Sequence, residues 1–245
     1  SHFADGRVGG VCGQRTIWKD SISLKSAQSR YLAFDNVIKR MEGEVESLTS
    51  NEGKLYAMRR SLFKPVDPAA TDDLYNCLSV VEAGYRYVYE PHAVMYIRSP
   101  SRSARHEVAR RRRIVIRSLH GIWAHRTVLN PLKFGWYSLG LLINKILRRC
   151  LPFFLLGLLL SSAVLSAYWP PMLMVLLLQA LFYGTILLYP LVSVWRPVSG
   201  AGKLITKPIS LVTYFLLGNY GTLLGVTDFL RGRRVVKWTP VKSNG

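Results

Sequence analysis

Two carboxylates, Asp72 and Asp73, stand side by side in "ATDDLYNCL", within a chain that carries 33 Lys and Arg against 14 Asp and Glu. A carboxylate within hydrogen-bond reach of a hydroxyl can take its proton, which is general-base chemistry. The same pair also suits the first turn of a helix, where Thr71, Asp72 or Asp73 would cap free backbone N–H groups and meet the positive end of the dipole. A second chemistry-bearing stretch is basic. Eight Arg and one acid lie between Arg98 and Arg117, with Arg110 to Arg113 consecutive. The run is either an anion site for a phosphorylated leaving group or a solvated or lipid-facing basic helix. Four consecutive residues point around most of a helix, so only one or two of them converge on a ligand, and Arg110 and Arg113 share a side.

Other chemistries are poorly provided for. Cys12, Cys77 and Cys150 are far apart and odd in number, which gives no disulfide framework and no C-x-x-C spacing; they read as reduced thiols. The five His form no H-E-x-x-H or other close ligand pair, so no metal residue is assigned. "SGAGKL" fails as a phosphate loop, with Leu204 where Ser or Thr is needed and Pro197 where the first Gly should be. The formal net charge of +19 calls for an anionic partner. No aromatic interleaves the Arg run, so nucleic acid is not the expected one, and the position of the charge favours membrane lipid.

The elements that must position these groups are of both kinds. "RVGGVCGQ" reads as a short strand among Gly turns, residues 27–49 as a polar helix with apolar residues at helical spacing, and "KLYAMRRSLF" as a strand entering a turn. A helix over 72–83 follows the acidic pair. The alternating tyrosines of "GYRYVYEPHAVMYI" then read as a strand, and residues 107–126 as an amphipathic helix.

Beyond residue 126 the chain turns apolar. Residues 127–150 read as an amphipathic, aromatic and basic interfacial helix. From Cys150 to Trp195 there is no Asp, Glu, Lys, Arg or His. A span needs about 20 apolar residues, so this run predicts a helical hairpin, 151–169 and 172–195, broken at Pro170-Pro171. A third apolar segment, 208–227, reads as re-entrant or interfacial in preference to spanning, and 231–245 as a basic tail. Lys145, Arg148 and Arg149 precede the hairpin and Arg196, Lys203 and Lys207 follow it, whereas its turn carries no charge; the Pro-Pro turn is therefore expected outside and both flanks inside.

Taken in order, "FADGRVGGVCG", "GKLYAMRRSLF", "TDDLYNCLSVVEAGYRYVYEPHA", "RRRRI" and "LNP" make the chain resemble the C-terminal part of a membrane-embedded family 2 glycosyltransferase, related to hyaluronan, cellulose and poly-N-acetylglucosamine synthases. The resemblance covers residues 1 to about 135. It implies an α/β fold plus membrane helices: the C-terminal part of a GT-A, Rossmann-like catalytic domain over 1–126, then the interfacial helix, the transmembrane hairpin and the third apolar segment. By this resemblance Asp73 is the base of an inverting transfer from a nucleotide-sugar to a glycan or lipid-linked acceptor, and Asp72 stands where the family has its first acid. Arg110-x-x-Arg113-Ile114 looks like the family's Gln-x-x-Arg-Trp, with Arg110 in place of Gln and Ile114 in place of Trp. Arg110 and Arg113 are thus implied substrate-binding residues, and Gly53 in "GKLYAMRR" would let backbone approach a sugar closely.

The family's donor half, with its Asp-x-Asp metal motif, has no counterpart in these 245 residues. The resemblance therefore implies a divalent cation, Mg or Mn, whose ligands this chain lacks, and a missing N-terminal segment or partner chain that supplies them. It places the protein in a bacterial-type inner membrane, multi-pass, with the catalytic part cytoplasmic. The rival reading is a non-catalytic basic membrane protein that binds anionic lipid, or nucleic acid, through the Arg-rich helix.

Overall fold

The computed structural model describes residues 2–17, 23–97, 104–194 and 200–236. Arg98 and Arg102, the Trp195 end of the expected hairpin, Arg196 and the tail from Lys237 lie outside the described residues. The chain forms a mixed α/β domain followed by long apolar helices.

Three strands make one sheet in the order β2-β1-β3, from β1 (Val8–Ile17), β2 (Tyr56–Met58) and β3 (Arg86–Ile97). β1 runs antiparallel to β2 and parallel to β3, with Gly10 opposite Met58 on one side and Tyr87 on the other. β1 is longer than the expected short strand, and its glycines are part of the strand and not turns around it. The reason is packing. Tyr87 is fully buried and lies across Gly10, where a Cβ would overlap the ring.

Helix α1 (Ser23–Val45) begins and ends four residues earlier than the pattern predicts. Residues 46–49 leave it to bind β3: Leu48 N–H donates to Tyr87 O at 2.9 Å, and Ser47 Oγ accepts from Tyr87 N–H at 2.8 Å. Helix α2 (Asp72–Glu82) follows the expectation and is buried on two sides. Cys77 and Val80 face the sheet with Cys12, Leu48 and Tyr87. Leu74, Leu78 and Val81, at helical spacing, face Ile122, Val128, Tyr137 and Leu141. Burying one such side chain stabilises by about 1.5–3 kcal/mol, so α2 is anchored twice. It ends at Gly84, whose φ of 85° terminates the helix in the left-handed region.

Helix α3 (Ala104–Ala124) carries the Arg run. After it, α4 (Pro131–Leu141), a π-helical stretch (Leu142–Leu147) and α5 (Arg148–Leu165) form one helical run. Asn130 caps its start, accepting from Leu132 N–H at 3.0 Å, and Gly135 kinks it (φ 50°, ψ −131°). The expected break between interfacial helix and first span at 150/151 is therefore absent. Pro152, within α5, removes one helical donor, and the widened π turns lie just before it.

Helices α6 (Pro171–Val194) and α7 (Gly200–Leu230) complete the chain. α5 and α6 form the hairpin, joined inside by Gln179 Nε2 donating to Ser162 Oγ at 2.8 Å. Three stretches, Pro131–Leu165, Pro171–Leu188 and Pro208–Leu230, are long and apolar enough to cross a membrane. α7 is continuous, without the internal turn a re-entrant segment needs, and it lies against α3. Gly221 and Gly225 make the approach possible: a Cβ at Gly221 would stand 2.9 Å from Val108 O, and one at Gly225 2.8 Å from Arg112 O.

Candidate functional site

Asp73 sits in the first turn of α2 and lines a polar cleft of about 210 Å³ between the 50–53 loop, α3 and the π-helical stretch. The N-cap of α2 is Thr71, whose side chain makes no capping bond. Asp73 Oδ1 accepts from Leu74 N–H at 2.7 Å, so the residue serves the helix start and faces the cleft at once. Asp72, one position earlier, is exposed and is not among the residues lining the cleft. Gly53 approaches Asp73 closely: a Cβ there would stand 3.3 Å from Asp73 Cβ.

Six cations line the cleft, Arg15, Lys39, Arg110, Arg111, Lys145 and Arg149, against the carboxylates Asp35, Glu52 and Asp73. Two of those carboxylates are engaged. Lys39, almost fully buried, pairs with Asp35 at 3.3 Å and with Glu52, and Arg15 Nε lies 3.1 Å from Glu52. Burial alone would push the Lys39 ammonium down, but Asp35 and Glu52 outweigh it and hold Lys39 above its ordinary value. Asp35 is lowered in turn, the nearby Lys39 and Lys145 overcoming its burial.

The Arg run is no open basic face. Glu107 is fully buried on α3 and accepts from Arg110 at 2.9 and 2.7 Å and from Arg111 at 2.9 Å. Arg111 also donates to Tyr214 of α7 at 2.9 Å, Arg112 is bound by Asp228, and Arg117 donates to Ala70 O. The helix is therefore clamped by Arg111, Arg112 and Arg117 against the domain and α7. Arg110 lines the cleft of Asp73, whereas Arg113 lines a second cleft, so the two residues that share a side in the sequence pattern do not share a cleft.

In the sequence Lys145 and Arg149 read as the basic flank of a membrane span, yet both line the Asp73 cleft. Lys145 Nζ donates to Ser50 Oγ at 2.6 Å and Arg149 Nη2 to Ser118 Oγ at 2.8 Å. Their distance along the chain from Asp73 hid this. The spacing Gly221-x-x-x-Gly225 in an apolar helix was legible and marks a close helix contact.

Among the described residues no group of three or more His, Cys, Asp or Glu is placed to hold a metal ion. With Asp35 and Glu52 already paired, the cleft does not fit a divalent cation. The chain matches no family model, and no curated protein matches it significantly.

Proposed function

We propose that this chain carries the base and acceptor side of an inverting glycosyltransferase that moves a sugar from a nucleotide-sugar to a glycan or lipid-linked acceptor at the cytoplasmic membrane face. The observation that supports it is the Asp73 carboxylate, beside a close backbone approach at Gly53, in a small cleft with an excess of cations whose other carboxylates, Asp35 and Glu52, are held in ion pairs. In this reading the acceptor oxygen attacks the anomeric carbon while Asp73 takes its proton. The bond from that carbon to the diphosphate oxygen breaks, its electron pair leaving with the nucleoside diphosphate. Attack opposite the leaving group inverts the anomeric centre. In this reading Lys145 and Arg149, with Arg110 held beside them by Glu107, offset charge that develops on the leaving group. Donor binding is assigned to a segment outside these 245 residues, since no Asp-x-Asp occurs in them.

The reading is tested by joining the chain to a donor-binding segment and following labelled sugar from a nucleotide-sugar into membrane glycan or lipid. Transfer that depends on Asp73 supports it. Transfer unaltered by Asp73→Asn, or catalysed by residues 1–245 alone, refutes it. The rival, a non-catalytic lipid binder working through an open basic helix, is weakened because Arg110, Arg111 and Arg112 are engaged by Glu107 and Asp228.

A further inference from the structure

A second cleft, of about 760 Å³, opens between α3, α6 and α7 and shares no lining residue with the cleft of Asp73. Val108 and Ile116 of α3, Ile186 of α6 and Leu217 and Leu224 of α7 give it apolar walls. Five guanidinium groups also line it, Arg105, Arg112 and Arg113 from α3 and Arg233 and Arg234 from the segment after α7, against a single carboxylate, Asp228. Asp228 is shared by Arg112 and by Arg233, which lies 3.2 Å away, and Arg234 is held by Asp67 at 2.7 Å. Positive charge therefore remains in excess around an apolar slot.

We propose that this cleft binds an anionic bilayer phospholipid, its phosphate among Arg105, Arg113 and Arg233 and its acyl chains along Ile186, Leu217 and Leu224. Charge complementarity selects the headgroup, because guanidinium forks match phosphate oxygens. The apolar walls select a lipid over a free phosphate: Ile186 belongs to Pro171–Leu188 of α6, a stretch long enough to cross a membrane, so acyl chains reach the cleft along α6 without leaving apolar surroundings. Arg113 is consistent with an anion there. Burial, together with Arg117 and Arg110 nearby, lowers its pKa from the ordinary value, and a phosphate beside it would offset that cost. The site does not depend on the role of Asp73, so it stands or falls separately from glycosyl transfer.

The test uses the full chain in dodecyl maltoside, with thermal unfolding followed by tryptophan fluorescence while phosphatidylglycerol, phosphatidylcholine or inorganic phosphate is titrated at constant ionic strength. Phosphatidylglycerol should raise the midpoint saturably, with half-saturation about tenfold below that of phosphatidylcholine. Inorganic phosphate should leave it unmoved. The double variant Arg105→Ala, Arg233→Ala should shift half-saturation for phosphatidylglycerol upward by about tenfold. Leu224→Trp fills the apolar part with every charge retained and should weaken the response as well, which keeps the test open should the Arg variant fail to fold. Equal responses to both phospholipids, an equal response to inorganic phosphate, or an unchanged response in either folded variant would overturn the proposal.

Discussion

Arg112 of α3 donates from Nε and Nη2 to both carboxylate oxygens of Asp228, near the end of α7, at 2.5 and 2.9 Å. The Asp228 side chain is only 7% exposed, whereas that of Arg112 is 39% exposed. Removing one partner of a fully buried pair costs about 3–5 kcal/mol, and the partial exposure of Arg112 reduces the expectation for Asp228→Ala to about 1–3 kcal/mol. Chemical unfolding in detergent measures it. A double-mutant cycle with Arg112→Ala should return a coupling above about 0.5 kcal/mol, and additive losses would show that the pair does not fasten α7 to α3.

On the proposed glycosyl transfer, Asp73 and Gly53 make separable predictions for the chain joined to a donor-binding segment. Asp73→Asn should lower turnover by at least about 10², because the amide accepts no proton, with donor affinity nearly unchanged. Gly53→Ala sets a methyl 3.3 Å from Asp73 Cβ and should act chiefly on acceptor KM. Wild-type turnover in Asp73→Asn would leave the acidic pair with its helix-start role alone.

The sequence made α2 and β3 readable because their burial repeats at short range. Leu74, Leu78 and Val81 keep helical spacing, and Tyr85, Tyr87 and Tyr89 alternate. β1 reads short in the sequence because Gly9, Gly10 and Gly13 are turn signals locally, while Tyr87, distant in sequence, is what makes Gly10 necessary. Asp73 and Arg110 were legible candidates for one site. Lys145, Arg149 and Lys39 were not, since only the folding of α1, the π-helical stretch and the start of α5 around the 50–53 loop brings them to Asp73. Glu107 stands three and four residues before Arg110 and Arg111, a helical spacing that marks it as their partner, whereas nothing in the run's spacing marks Asp228, far along the chain, as the partner of Arg112.

Alkaline pH should destabilise the domain through buried groups. Burial pushes the Cys12 thiol up to about 11 from 9.0, and burial raises Cys77 as well. A thiol with a raised folded pKa contributes stability that is complete below about pH 9 and is lost as the unfolded state, and then the folded one, deprotonates. For Cys12 the loss between about pH 9 and 11 is on the order of 2 kcal/mol. Lys39, held above its ordinary 10.5 by Asp35 and Glu52 despite its burial, acts in the same direction from there upward. Unfolding midpoints taken from pH 7 to 11 should be level to about 9 and then fall, less steeply in Cys12→Ala. A midpoint that holds to pH 11 would contradict the burial of these thiols.

The hairpin turn and the end of α7 should lie on opposite sides of the membrane. The turn at Tyr168 to Met172 carries no charge and lies between basic flanks, and the expectation from that charge pattern is a turn outside. α7 is long enough to cross, but its second half packs on α3 at Arg111, Arg112 and Val115. If it crossed, it would draw those arginines to membrane depth, at about 2.5–3.5 kcal/mol each on insertion scales. Lying at the membrane surface, against α3 on one side and beside α6 on the other, would avoid that cost and would leave Arg231, Arg233 and Arg234 on the same side as the other basic flanks. In right-side-out vesicles, Tyr168→Cys should react with an impermeant maleimide at once, and Arg231→Cys only after the vesicles are opened. Immediate labelling of Arg231→Cys would make α7 a third span and would require α3 to enter the membrane with it.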